Sequence, residues 1–263
     1  MVDARTDESG ETLRIWLFGG FRLIRGTREI AAAEWRLRKA RNLIKLLALT
    51  PGHRLHREQV MEALWPHLEV AAAINNLRKV LHVARRVLGS VGTAPAARDL
   101  VLQDEVLSFS SDTVWVDVDA FERDAERAQR SRDIAAYERA LSYGADDLLP
   151  EDLYEEWSRA RREELRQKHL TLLADLGSAY ESTGANVKAI ETLQRLLSRD
   201  TTREEAHRSL MRLYASTGRR QQALRQYQLL RESLAREMDA EPDTESQRLY
   251  ATIVAGKIVY RSE

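Results

Sequence analysis

Residues 176–184 read L-G-S-A-Y-E-S-T-G, and 34 positions later residues 210–218 read L-M-R-L-Y-A-S-T-G. A period of 34 is that of tetratricopeptide helix pairs, which bury their apolar faces only by stacking on one another. The match continues through Ala189/Ala223, Ile190/Leu224, Leu193/Tyr227 and Leu196/Leu230. Gly184 and Gly218 end the first helix of each pair, and the small alanines let the second helix pack close. Tyr180, Tyr214 and Tyr227 are expected in the core. Five prolines and 12 glycines in 263 residues leave few breaks. Residues 119–130 and 133–143 read as a further helix pair, and 148–157 as the entry to a long helix running to about Thr183. Residues 242–255 read as a closing helix with Pro242 just inside its start. The expectation for 112–256 is an all-α, tetratricopeptide-like domain, a scaffold that offers concave protein-binding surfaces.

The first hundred residues follow a different grammar. Leu13–Leu17 and Phe21–Ile24, separated by Gly19-Gly20, read as short strands. Trp35–Thr50 is a basic helix stopped by Pro51-Gly52, and Arg57–Trp65 is a second helix ended by Pro66. The third runs from about Val70 to Leu88. Leu100–Leu102 and Val106–Phe109 form a hairpin around Gln103-Asp104-Glu105. Strands, three helices and a hairpin are the layout of a winged helix-turn-helix, expected over 13–111. The chain is thus mainly α with a small β component, with a polar N-terminal tail at 1–12, expected to be disordered, and a C-terminal tail at 257–263.

At 100° per residue, Ala73, Leu77, Val80, Leu81, Ala84 and Leu88 share one side of the third helix. Asn75, Lys79, His82 and Arg86 fall within about 60° of one another on the opposite side. From Val70 on, the helix holds no carboxylate. Solvated helix faces normally mix signs. This one offers groups that hydrogen-bond base edges: Asn to adenine, Arg or Lys to guanine. Arg36, Arg38, Lys39 and Arg41 open the first helix, and His56 and Arg57 open the second. Cations are unfavourable at a helix N-terminus, so a phosphate partner would explain them as positioning contacts.

Charge follows the same division. The chain has 41 Lys+Arg and 41 Asp+Glu, yet residues 1–95 hold 16 basic and nine acidic residues, leaving 25 and 32 to the rest. A neutral total therefore joins a basic half, as phosphate neutralisation requires, to an acidic one. The absence of cysteine excludes disulfides, thiolate metal sites and cysteine nucleophiles, and suits the cytoplasm. No apolar run approaches the roughly 18 residues of a membrane span. No phosphate-binding loop, dinucleotide fingerprint, zinc-protease motif or nucleophile elbow occurs. His53 and His56 lack a third ligand at useful spacing, and His169 and His207 read as isolated surface or packing residues. No catalytic residue, metal site or cofactor is expected.

L-x-I-x-L-F-G-G-F at 13–21, R-K-A-R at 38–41, R-E-Q-V-M-E-A-L-W-P at 57–66 and N-N-L-R-K-V-L-H-V-A-R-R-V-L-G at 75–89 carry a resemblance. So do V-D-V-D-A-F-E at 116–122, L-L-P-E-D-L-Y-E-E-W at 148–157 and H-R-S-L-M-R-L-Y-A-S-T-G-R-R-Q-Q-A-L-R-Q-Y at 207–227. Over about residues 13–254 the chain resembles the antibiotic-regulatory-protein (SARP) family of bacterial activators: an OmpR-like winged helix followed by a bacterial transcriptional activation domain. The resemblance implies that the third helix enters the major groove of double-stranded promoter DNA. It also implies that the wing reaches the adjacent minor groove and that the second domain contacts RNA polymerase or modulates binding. Direct-repeat sites suit side-by-side copies or a homodimer. Asn75, Lys79, His82 and Arg86 are then the base readers, and Arg38, Lys39, Arg57, Arg78, Arg85 and Arg98 the phosphate contacts. Two departures stand out. The wing tip is acidic where a minor-groove contact wants Arg or Lys: either Arg98 at its base takes that role or the minor-groove contact is weak here. Larger relatives carry an ATPase domain, and residues 1–263 contain no P-loop. The acidic wing also fits an alternative, a tetratricopeptide adaptor whose winged helix no longer reads DNA.

Overall fold

The computed structural model describes residues 12–90, 99–110, 114–144 and 148–257. In chain order these form β1 (Leu13–Trp16), β2 (Arg22–Arg25), β3 (Arg28–Glu29), α1 (Arg38–Leu49), β4 (Arg54–His56), α2 (Arg57–Leu64) and α3 (Val70–Gly89). There follow β5 (Leu100–Gln103), β6 (Val106–Phe109), β7 (Val114–Val116), α4 (Asp117–Ser131), α5 (Ile134–Tyr143) and α6 (Glu156–Ser182). The last are α7 (Asn186–Leu197), α8 (Glu204–Ser216), α9 (Arg220–Met238) and α10 (Thr244–Val254). The chain is mainly helical with a small sheet component, a winged helix-turn-helix followed by helices, as expected. It divides into two compact units: Met1–Asp124 with Ser142–Arg166, and Ala125–Leu141 with Gln167–Glu263. The first unit is therefore larger than the 13–111 segment the sequence pattern delimits.

In the first unit, β1 alternates buried Leu13 and Ile15 with half-buried Arg14 and Trp16, the period-2 pattern of a one-sided strand. It pairs antiparallel with β2 and, beyond expectation, parallel with β7, Leu13 facing Val114. Residue 117 then ties the sheet to α4. Its carboxylate accepts the backbone N–H of Leu17 and of Phe18, both at 2.9 Å. Burial pushes the Asp117 carboxyl up to about 7. A second sheet has the order β4-β6-β5, so the hairpin gains a third strand, β4, just ahead of α2. Leu43, Ile44 and Leu47 of α1, Val60 and Leu64 of α2, and Leu77, Val80 and Leu88 of α3 bury the apolar faces read from the sequence. Arg25 of β2 and Asp99, just before β5, form a buried ion pair.

Residues 148–155 are not the first turns of the long helix. Leu148 bridges Phe18, and the Leu149 N–H donates to the Leu17 carbonyl at 2.9 Å. Residues 150–152 make one 3-10 turn, and α6 begins only at Glu156. The reason lies in α1. Lys45 points into the core with its side chain 0% exposed, and its ammonium meets Glu151 at 2.8 Å and also pairs with Asp152. A buried ammonium must have such partners, and extended backbone at 148–149 is what delivers them.

In the second unit the repeat is present as α6/α7 and α8/α9. Gly184 and Gly218 take φ of +75° and +77°. After each, the next N–H reaches back five residues, Ala185 to Tyr180 and Arg219 to Tyr214, at 2.9 and 2.7 Å. This is the helix-ending motif that a left-handed residue permits. Ala189 and Ala223 are fully buried, as are, nearly, Tyr180, Tyr214 and Tyr227. His169 and His207 are buried too; His207 sits against the Thr201 carbonyl at 3.0 Å and Gln226 at 2.7 Å. One boundary differs from expectation: α10 starts at Thr244 with Asp243 as its N-cap, accepting from the Ser246 N–H at 2.7 Å. Pro242 thus precedes the cap rather than opening the helix. The Asp243 carboxylate also meets Arg208 of α8 at 2.6 Å.

Candidate nucleic-acid interface

Helix α2 closes at Leu64, with the Trp65 N–H bonded to the Met61 carbonyl at 2.8 Å. A short turn follows, Leu68 N–H to Trp65 carbonyl at 3.1 Å, and α3 starts after Glu69. This is a helix-turn-helix in which Leu77, Val80, Leu81 and Ala84 hold one side of α3 in the core. The other side is exposed along its length. Asn75, Arg78, Lys79, His82 and Arg86 are all exposed, while Asn76 and Arg85 are half-buried. The four residues read as base contacts lie at i, i+4, i+7 and i+11, one ridge of a 3.6-residue helix. The Arg86 guanidinium lies 3.4 Å from the His82 ring nitrogen, so the two act as one polar group on the ridge. With no acid in α3, no Lys or Arg of the ridge has an i,i+4 carboxylate within its own helix to neutralise it.

The residues read as phosphate contacts have more varied surroundings. Arg78 is exposed. Arg85 donates from Nε to the Leu100 carbonyl at 3.1 Å, which ties α3 to the first strand of the hairpin. Arg57 meets Glu105 at 2.7 Å, and His56 meets the same carboxylate at 3.4 Å. Glu105 and Asp104 form the tight hairpin turn, both at left-handed φ (+66° and +48°). The acidic wing tip is thereby folded onto the start of α2. Arg38 pairs with Glu155 at 2.9 Å, and Lys39 lies 4.0 Å from the same carboxylate. Arg98 lies outside the described residues.

Sequence reasoning missed the carboxylates that serve these cations. Glu105 was visible as a charge but not as a partner, and Glu155 is more than a hundred positions from Arg38. It also missed His53, whose ring meets Asp119 at 2.6 Å. Among the described residues there is no group of three or more His, Asp or Glu placed to hold a metal ion. No helix among them is long and apolar enough to cross a membrane.

Residues 116–254, more than half of the chain, match the family model of the bacterial transcriptional activator domain. The chain belongs to that family. The transcriptional regulator RedD of Streptomyces coelicolor is 27% identical over 226 residues, which is 82% of this chain and 64% of RedD. The structure of Mycobacterium tuberculosis EmbR in complex with a low-affinity phosphopeptide superposes with a TM-score of 0.77. Its identity is 16%, over 94% of this chain and 66% of EmbR, a likeness of fold. The chain thus spans just under two thirds of the length of both.

Proposed function

We propose that the protein is a sequence-specific DNA-binding activator that reads promoter DNA through α3. The observation that carries this is the exposed, acid-free ridge of α3, presented by a helix-turn-helix whose other faces are buried. Asn75, Lys79, His82 and Arg86 are the readers. Arg38, Lys39, Arg57, Arg78, Arg85 and Arg98 position the duplex through phosphates. The helical repeats of the second unit are the surface for RNA polymerase. Side-by-side copies on direct repeats, or a homodimer, fit a reader with a single recognition helix. The protein works in the cytoplasm, without cofactor or catalysis.

The adaptor reading rested on the acidic wing. Glu105 is compensated by Arg57, so its charge is no argument against a phosphate surface. Selection of bound fragments from a genomic pool, followed by footprinting, tests the proposal and gives site sequence, spacing and copy number together. Six phosphate contacts predict a slope of log K against log salt of about −5. Asn75→Ala and Arg86→Ala relax sequence preference, and Arg78→Ala weakens all duplexes alike. Binding to promoter fragments indistinguishable from binding to random DNA refutes it.

A further inference from the structure

The ridge of α3 does not begin at Asn75. Four residues earlier on the same face stands Ala71, about 40° from Asn75 at 100° per residue, with Ala72 about 60° away on the other flank. Both are exposed. Just ahead of them, Leu68 and Val70 are 44% and 67% exposed and extend the apolar surface around the helix end. From Val70 through Ile74 no side chain bears a hydrogen-bonding group. The ridge therefore has two parts: a first turn surfaced with methyl groups, and a polar stretch from Asn75 onward.

The two parts do not face a duplex equally. Ala71 and Arg86 are separated by 15 residues, roughly 22 Å of helix. A straight helix in a groove that curves away comes closest to the base edges at one end, and residues further along reach them only through long side chains such as those of Lys79 and Arg86. In helix-turn-helix docking the closer end is the N-terminal one. The methyl-surfaced turn is thus the part set deepest, next to the base that Asn75 reads. A methyl surface offers nothing to the N4 amino group of cytosine or to O6 and N7 of guanine, and covering those groups leaves them unpaired. One major-groove feature matches it, the C5-methyl of thymine.

We propose that Ala71, aided by Ala72, reads thymine C5-methyl groups at the base steps adjoining the one that faces Asn75. This rests on α3 entering the major groove, the reading given above. The test uses the full chain and its selected duplex, with each thymine replaced in turn by deoxyuridine. One or two positions should lose about three- to fourfold in affinity, the ratio for one buried methyl, and the rest should change little. In Ala71→Gly or Ala72→Gly the thymine-to-uracil ratio at those positions should fall to one. The ratio is taken within each protein, so any loss of helix stability cancels. Specific binding without a uracil-sensitive position overturns the proposal, as does a ratio that persists in both variants. Failure of any duplex to be preferred over random DNA overturns the DNA-reading proposal and this one with it, a result distinct from specific but methyl-blind binding.

Discussion

Replacing Lys45 by methionine keeps the volume of the side chain and deletes its charge. In the native protein the ammonium is wholly buried, 2.8 Å from Glu151, paired with Asp152 and 5.1 Å from the centre of the Phe21 ring. Glu151 is partly exposed and can return to water once its partner is gone. Asp152, with its side chain 1% exposed, cannot. Removing one member of a buried pair and leaving the other costs about 3–5 kcal/mol. That is a large share of the roughly 5–15 kcal/mol by which a domain is stable, and should lower the melting point by about 10 °C. All five tryptophans, Trp16, Trp35, Trp65, Trp115 and Trp157, belong to the first compact unit. Urea denaturation followed by tryptophan fluorescence therefore reports on that unit alone. Lys45→Met combined with Asp152→Leu should recover most of the loss, because no charge is then stranded in the core. If Lys45→Met costs under about 1 kcal/mol, where 3–5 is expected, or the double variant is no more stable than the single one, the pair does not hold residues 148–155 in place.

Other perturbations have equally definite outcomes. Burial alone would lower the pKa of His53, but its hydrogen bond to Asp119 and the charge of that carboxylate hold it above the ordinary value. Its stabilising effect is full below pH 6.5 and is lost as pH rises through the raised value, a slope that Asp119→Asn should flatten in the same fluorescence assay. Burial, with Arg199 and Arg195 nearby, pushes the His169 imidazole down to about 4. The sign is opposite: stability is full above 6.5 and is lost as pH falls through about 4, so His169→Gln should blunt the acid loss of helical circular dichroism. Glu105→Ala removes a carboxylate that competes with phosphate for Arg57 and should strengthen binding to every duplex; weaker binding would count against Arg57 as a phosphate contact. Gly184→Ala forces a Cβ into a φ of +75° and should cost about 1 kcal/mol in a thermal melt.

What the sequence revealed and what it hid divide along physical lines. The 34-residue period, the apolar stripe of α3 and the glycine helix ends are local or regular signals, and each is found where the residues placed it. The polar ridge is legible for the same reason, since the side that is not core at 3.6-residue spacing must be the outer side. The strands β4 and β7 were hidden because three residues each, Arg54–His56 and Val114–Val116, carry no period of their own and exist through their partners. The ion pairs were hidden because they join distant positions. Lys45 sits in an apolar run, and only the fold shows that Glu151 and Asp152 reach it. The start of α6 was misread because Leu148 and Leu149 fit a helical pattern as well as the edge contact with Phe18 that they make.

The parallel pairing of β1 with β7 has a consequence for biosynthesis. β1 leaves the ribosome well ahead of its neighbour, which lies some hundred residues later. The carboxylate that receives the Leu17 and Phe18 N–H groups is at 117, and the counter-charges for Lys45 are at 151 and 152. The nascent first unit must wait, with an open strand edge and a bare ammonium, until translation has passed into the 116–254 segment. A fragment ending at 111 stays in that waiting condition permanently. The first compact unit is thus completed only on ribosomes that have already translated part of the segment matching the activator domain.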